Sequence, residues 1–220
     1  MKHNFFKLLL IMPLVVFSCK GKQGDITDND ITKSEDSTTM QTKLIFNPAD
    51  LPEEPVLDIE TNVGTIRIKL YKETPLHRDN FVKLASEGFF DGILFHRVIQ
   101  GFMIQTGDPL TKDSANEARF GTGGPGYTIP AEILPEFNHK KGAVAAARQG
   151  DAGNPERASS GSQFYIVEDA SACAQLDGAY SVFGETLEGL EIVDKIAATP
   201  TNNRDKPTQD IIIKSVKPLL

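Results

Sequence analysis

The chain has 220 residues and a formal charge of −7, with 40% hydrophobic and 24% charged residues, the make-up of one globular domain with tails. Residues 1–18 hold Lys2 and Lys7 and no acid, so removing those two charges from −7 leaves −9 on the rest. A body so acidic lacks the basic stripe that nucleic-acid binding requires, and the two cysteines, Cys19 and Cys173, offer neither zinc-ligand spacing nor a disulfide framework.

Residues 1–18 run from a basic start into an apolar stretch, Leu8 to Phe17, interrupted by Pro13. The stretch falls short of the ~20 apolar residues that a membrane-spanning helix needs and fits the core of a secretory signal. Val16-Phe17-Ser18-Cys19 resembles a bacterial lipobox, which implies that Cys19 becomes the lipidated first residue of the mature protein. Residues 19–52 are then a tether: its first two-thirds are polar and acidic, without helical or strand period. About 30 flexible residues reach roughly 30 Å. Leu44 to Phe46 interrupt the polar run and are expected to dock on the domain that follows.

That domain spans 53–220. Pro55 to Tyr71 alternates apolar and polar residues on both sides of Asn62-Val63-Gly64, which predicts a β-hairpin with one buried face. Pro75 opens a helix with Phe81, Leu84 and Ala85 on one side, and Gly88 closes it. Next comes FHRVIQGFMIQTGDP, residues 95–109, in which Arg97 stands among apolar neighbours. A guanidinium in such company must be paired or must point into a site.

Gly121 to Gly126, GTGGPG, matches G-x-G-x-x-G letter for letter. A dinucleotide site needs a helix to start there; Pro125 and an extended Tyr127 to Pro130 forbid it, so the glycines are expected to bend a surface loop beside a site. Glu132 to Lys141 is predicted as irregular chain, Gly142 to Ala147 as a small-residue strand, and Gly161 to Val167 as a strong one. Ser181 to Gly184 adds a short strand, Leu187 to Ala198 a second helix, and Ile211 to Val216 a last strand. Short strands, two helices and glycine-rich loops predict a mainly β fold: a closed antiparallel barrel capped by two α-helices.

Taken together, FHRVIQGFMIQTGDP, GTGGPGY, GSQFYIV and LDGAYSVFG resemble the cyclophilin-type peptidyl-prolyl cis-trans isomerases, from about Pro55 to Leu220. The resemblance implies an eight-stranded barrel and catalysis of rotation about X-Pro bonds, with no metal or organic cofactor. It makes Arg97 the catalytic residue. Phe102, Met103, Tyr165 and Leu176 match the proline pocket, and Gln105 and Gln163 match groups that orient substrate and Arg97. Ala147, Arg148 and Tyr180 match further substrate-binding positions, the first two through their main chain. The implied partners are proline-containing peptides and folding proteins, met by a monomer that a lipid anchor holds to the bacterial cell envelope, facing the periplasm or exterior.

The chemistry agrees with such a residue set. Rotation faces a barrier of ~18–20 kcal/mol because the amide is resonance-stabilised, and no bond need break. What helps is a donor that strengthens its hold as resonance is lost, in a site shielded from water. His96 has an ordinary pKa suited to acid/base work, yet no proton is transferred, and a structural role with hydrogen bonds inside the barrel is expected. Three positions depart from the family pattern. Ala145-Ala146-Ala147-Arg148 replaces Ser-Met-Ala-Asn or Ser-Met-Ala-Arg, which should widen one side of the groove. Tyr165 stands where Phe is common, and its hydroxyl needs a partner if buried. Gln175 stands where many eukaryotic members carry Trp, which implies weak binding of cyclosporin. A barrel that holds proline segments without turnover is the alternative. A hydrolase is not expected, because Ser159-Ser160-Gly161-Ser162 forms no nucleophile elbow and the sequence shows no base for it.

Overall fold

A computed structural model of the chain describes residues 44–219. The signal segment, Cys19 and the tether up to residue 43 lie outside the described residues. Among the described residues there are nine strands: β1 (Val56–Thr61), β2 (Thr65–Leu70), β3 (Arg97–Ile99), β4 (Met103–Thr106), β5 (Thr128–Ile129), β6 (Ala143–Arg148), β7 (Ser159–Val167), β8 (Val182–Glu188) and β9 (Ile213–Pro218). Three α-helices accompany them: α1 (Pro75–Ser86), α2 (Ala170–Cys173) and α3 (Leu190–Ala197). Among the described residues no helix is long and apolar enough to cross a membrane.

The strands form one antiparallel sheet in the order β3-β4-β7-β6-β8-β2-β1-β9, with β5 attached to β7 off this path. Eight strands therefore make the wall, as expected, but the wall is a curled sheet whose ends, β3 and β9, share no ladder. One isolated bridge, Leu94 to Ile212, spans the seam, reinforced by Phe95 N–H donating to the Ile211 carbonyl at 2.9 Å. The edge of β3 is occupied instead by the preceding loop of β9: Val98 N–H donates to the Asp205 carbonyl at 2.7 Å. An edge strand whose donor is already taken cannot be extended by another strand.

Alternation sorts the side chains. In the β1–β2 hairpin Leu57, Ile59, Ile66, Ile68 and Leu70 are fully buried and join Phe81, Leu84 and Phe90 in the interior. Helix α1 closes one end with the predicted face, and Phe81 packs against Phe90 and Phe164. Its N-cap residue Thr74 makes no side-chain cap. The carboxylate of Glu132 takes that place, accepting from the first-turn N–H groups of Leu76 and His77, each at 3.0 Å, where a negative charge also suits the helix dipole. The second predicted helix begins later than its apolar period suggested. Leu187 and Glu188 stay in β8, where Glu188 pairs with Arg67 of β2, and Gly189 at φ +90° breaks the strand before α3 starts. Helix α2 was not expected. It is a single turn capped by the Asp169 carboxylate, too short to show a period.

Residues 44–51 lie on this body. Ile45 N–H donates to the Ser86 carbonyl at 2.7 Å and Phe46 packs against the interior cluster, while Leu44 and the Ile45 side chain stay exposed.

Candidate active site

Along β3, β4, β6 and β7, parity of residue number divides the sheet into two faces. Val98, Ile104, Val144, Phe164 and Ile166 point into the barrel core, whereas Met103, Ala143, Ala145, Tyr165 and Val167 form a second cluster on the outer face. The register explains it: Arg97 pairs with Gln105, Gln105 with Tyr165, and Tyr165 with Ala145. Directly paired residues of antiparallel strands share a face. One cross-strand row thus carries a cation, an amide, an aromatic ring and a small residue outward. Phe102, on the β3–β4 turn, and Leu176 and Tyr180, after α2, lie over this outer cluster.

A cavity of about 420 Å³ opens on that face, and its lining includes Arg97, Phe102, Met103, Gln105, Ala147, Arg148, Tyr165, Leu176 and Tyr180. Every predicted substrate-site residue lines it except Gln163, which stands immediately behind. Arg97 is not buried: its side chain is 44% exposed. It stands on an edge strand and reaches over the cavity rather than into the core. Its head donates to the Gln105 side-chain oxygen at 3.4 Å and faces the Asp205 carboxylate at 3.7 Å.

A chain of amides steers it. Gln105 Nε2 donates to Gln163 Oε1 at 3.0 Å, and Gln163 Nε2 donates in turn to the carbonyls of Gly121 and Gly123 at 3.0 and 2.8 Å. Those glycines are held by Asp108, whose fully buried carboxylate accepts from the N–H groups of Gly121 at 2.6 Å, Gly123 at 3.1 Å and Leu110 at 2.8 Å. A carboxylate saturated by main-chain donors is well compensated for its loss of water. The GTGGPG loop therefore does bend beside the site, and no helix follows it.

The floor is apolar and rigid. Met103 and Tyr165 are buried. The Tyr165 hydroxyl has found its partner, His139 Nε2 at 2.9 Å, and His139 Nδ1 lies 2.7 Å from the Asp177 carboxylate. Burial pushes the Tyr165 phenol well above its ordinary pKa, so it stays neutral. Arg148 is pinned: it stacks over the Tyr180 ring at 4.3 Å and binds the Ala179 carbonyl and the Asp151 carboxylate. Ala147 has no partner in the β6–β7 register, which shifts between Ala146 and Arg148.

Several expectations need correcting. His96 is buried beside the cavity, but neither ring nitrogen makes a hydrogen bond of good geometry among the described residues. It lies under Gly121, next to an Asp108 already saturated, and burial lowers its pKa. Ala145 and Ala146 do not line the cavity, whereas Ala147 and Arg148 do. Ala145 lies in the outer cluster, paired with Tyr165, and Ala146 points into the core. Gln175 is exposed and donates to the Ala172 carbonyl at 3.2 Å. A base does face a serine: His77 Nε2 lies 2.9 Å from Ser159 Oγ and His77 Nδ1 lies 2.6 Å from Glu132. Yet Ser159 and His77 are buried beside a cavity of about 20 Å³, which admits no peptide. This triad ties α1 to β7. Among the described residues no group of acidic, His or Cys side chains could hold a metal ion. Sequence reasoning missed Asp108 as an anchor, His139 as the partner of Tyr165, and a polar loop, Asn202, Arg204 and Lys206, that completes one wall of the cavity. The x-x-D-P-L spacing around Asp108 is the signal of a side-chain cap that could have revealed the first.

The match to known proteins agrees with this geometry. Residues 56–218 fit the family model for cyclophilin type peptidyl-prolyl cis-trans isomerases. The chain is 37% identical to peptidyl-prolyl cis-trans isomerase B of Streptomyces anulatus, over 76% of this chain and 97% of that one. It is 42% identical to a peptidyl-prolyl cis-trans isomerase of Helicobacter pylori, over 63% of this chain and 77% of that one. A cyclophilin-type isomerase of Cryptosporidium parvum superimposes with a TM-score of 0.66 at 30% identity, covering 76% of this chain and 98% of that one. The same protein has been solved in the presence of the dipeptide Ala-Pro. The chain belongs to the cyclophilin-type peptidyl-prolyl isomerase family. It is a peptidyl-prolyl cis-trans isomerase.

Proposed function

We propose that a proline ring rests on Phe102, Met103, Tyr165 and Leu176 while Arg97 holds the adjoining carbonyl and acts as the catalytic residue. The observation that carries this reading is the amide chain from Gly121 and Gly123 through Gln163 and Gln105, which steers the Arg97 head over an apolar floor. As the X-Pro bond twists, the prolyl nitrogen loses resonance and becomes pyramidal. A preoriented donor that binds the twisted form better than the planar one lowers the barrier. Ala147, which the shifted β6–β7 register leaves without a partner, and the neighbouring Arg148 supply main-chain groups along which an extended peptide lies.

The isomerase would act as a monomer on polypeptides after export, tethered by lipidated Cys19 to a membrane of the bacterial envelope. The short apolar run before Val-Phe-Ser-Cys and the acidic tether after it support this location, and several acyl chains would anchor stably where one would not. Arg97→Ala should lower kcat/KM for a proline tetrapeptide by about a hundredfold, the scale of one preoriented donor at ~3 kcal/mol, with folding intact. Arg97→Lys should recover little, since a point charge does not reproduce the planar fork. Undiminished turnover in folded Arg97→Ala protein removes the catalytic role. Membrane fractions that retain Cys19→Ala protein undiminished remove the anchor.

A further inference from the structure

We infer that this isomerase prefers proline segments carrying an acidic side chain two residues before or two residues after the proline, selected by Arg204. The inference rests on the reading of the cavity as the proline site. Although the chain is strongly acidic overall, the ionised side chains lining the cavity are Arg97, Arg148, Arg204 and Lys206 against the single acid Glu117.

Three of those charges are already spoken for. Arg148 pairs with Asp151 at 2.6 Å, Lys206 with Asp210 at 3.3 Å and Glu117 at 3.5 Å, and Arg97 faces Asp205 at 3.7 Å. Arg204 differs. It is exposed and has no carboxylate within ion-pair distance among the described residues, and its one side-chain bond runs to the main-chain carbonyl of Glu117 at 2.8 Å. That bond uses a single N–H of the guanidinium fork and orients it without neutralising it.

The loop that carries Arg204 is fixed. Asp205 accepts from Val98 N–H at 2.7 Å, and the Asn202 side chain accepts from the N–H groups of Arg204 and Lys206. Arg204 therefore flanks the Arg97 side of the cavity, opposite the β6 edge. An extended peptide advances ~3.3–3.6 Å per residue, so a side chain two residues from the pocketed proline spans this wall. A carboxylate there meets an unneutralised fork; a lysine meets repulsion from it.

Blocked tetrapeptides with Glu, Gln or Lys placed two residues before or two residues after the proline test this, with exchange between isomers followed by NMR. At low salt the order at one of the two positions should be Glu above Gln above Lys. Each step should be about threefold in kcat/KM, the scale of an exposed ion pair, and 0.5 M salt should compress the series to within about twofold as screening shortens its range. Arg204→Glu should reverse the order at that position. No ordering by charge at either position, or an ordering that Arg204→Glu leaves unchanged, overturns the inference while the Gln peptides still report isomerase activity. Failure of the wild-type protein to turn over the Gln peptides overturns the proline-site reading, and the acidic preference with it.

Discussion

The hydroxyl of Tyr165 lies 2.9 Å from Nε2 of His139, a ring with no exposed surface. With Asp177 on Nδ1, the ring bridges the phenol to that carboxylate, so the floor of the cavity is tied to the turn beyond α2. Tyr165→Phe should keep the pocket wall yet strand a buried nitrogen, at a cost of about 1–3 kcal/mol of stability. His139→Leu alone should cost a similar amount by stranding the hydroxyl. The double variant should lose markedly less than the sum, because an apolar pair replaces a polar one. Urea denaturation of the four proteins checks this; strict additivity would mean the contact carries no coupling.

Asp108 should prove to be a positioning residue. Asp108→Asn turns an NH2 toward backbone donors and loosens the loop whose Gly121 and Gly123 carbonyls hold Gln163. We expect kcat/KM to fall about tenfold, or ~1.4 kcal/mol, in protein that remains folded. In an Arg97→Ala background the same change should cost little further activity, since the group being steered is gone. A full tenfold loss in that background would mean that Asp108 acts on the substrate by another route.

Gly107 should tolerate no side chain. Its φ is +91°, and a Cβ would stand 2.1 Å from the Ser162 carbonyl oxygen, a main-chain atom of β7. Gly107→Ala therefore combines backbone strain with a clash that cannot swing aside. A loss on the order of 3 kcal/mol or more is expected, visible as a drop in the denaturation midpoint.

Stability should fall as the solution is acidified below about pH 6.5. Burial lowers the pKa of both His77 and His96 in the folded chain, despite the opposing pull of Glu132 on the first and Asp108 on the second. Below the ordinary histidine value of ~6.5 the unfolded chain takes up protons that the folded one refuses, so stability is full above that pH and declines beneath it. The slope is at most ~1.4 kcal/mol per pH unit for each ring. Melting temperatures at pH 7.5 and 5.5 should differ less in His96→Gln protein than in the wild type; an unchanged difference would clear His96.

Much of this arrangement was legible because strand chemistry is local. The alternation of Leu57 and Ile59 against Asp58 and Glu60 foretold which face is buried, and Pro75 and Gly88 bracketed α1 to within two residues. The ordered motifs brought Arg97, Phe102, Met103, Gln105, Tyr165 and Leu176 to one cavity. What escaped depends on residues far apart in the chain. Glu132 caps a helix 55 residues away, His139 meets Tyr165 across 26, and the loop at Asp205 closes the edge of β3 in place of a ladder. Arg97 escapes burial among apolar neighbours because Val98 and Ile104 turn inward while Arg97, Ile99 and Met103 share the outer face. The α2 turn and the late start of α3 escaped because a single capped turn has no period and Leu187 fits strand and helix equally.

The parity that separates the two faces of the sheet has an evolutionary consequence. Residues that line the cavity face and residues that pack in the core interleave in sequence, yet along β4 and β7 no buried hydrophobic side chain belongs to both clusters. Mutation can therefore explore new specificities at alternate positions while inheriting the scaffold unaltered. The cavity face can thus vary with less disturbance of the architecture than the core can, with Ala145, small and enclosed opposite Tyr165, as one point where the two remain joined.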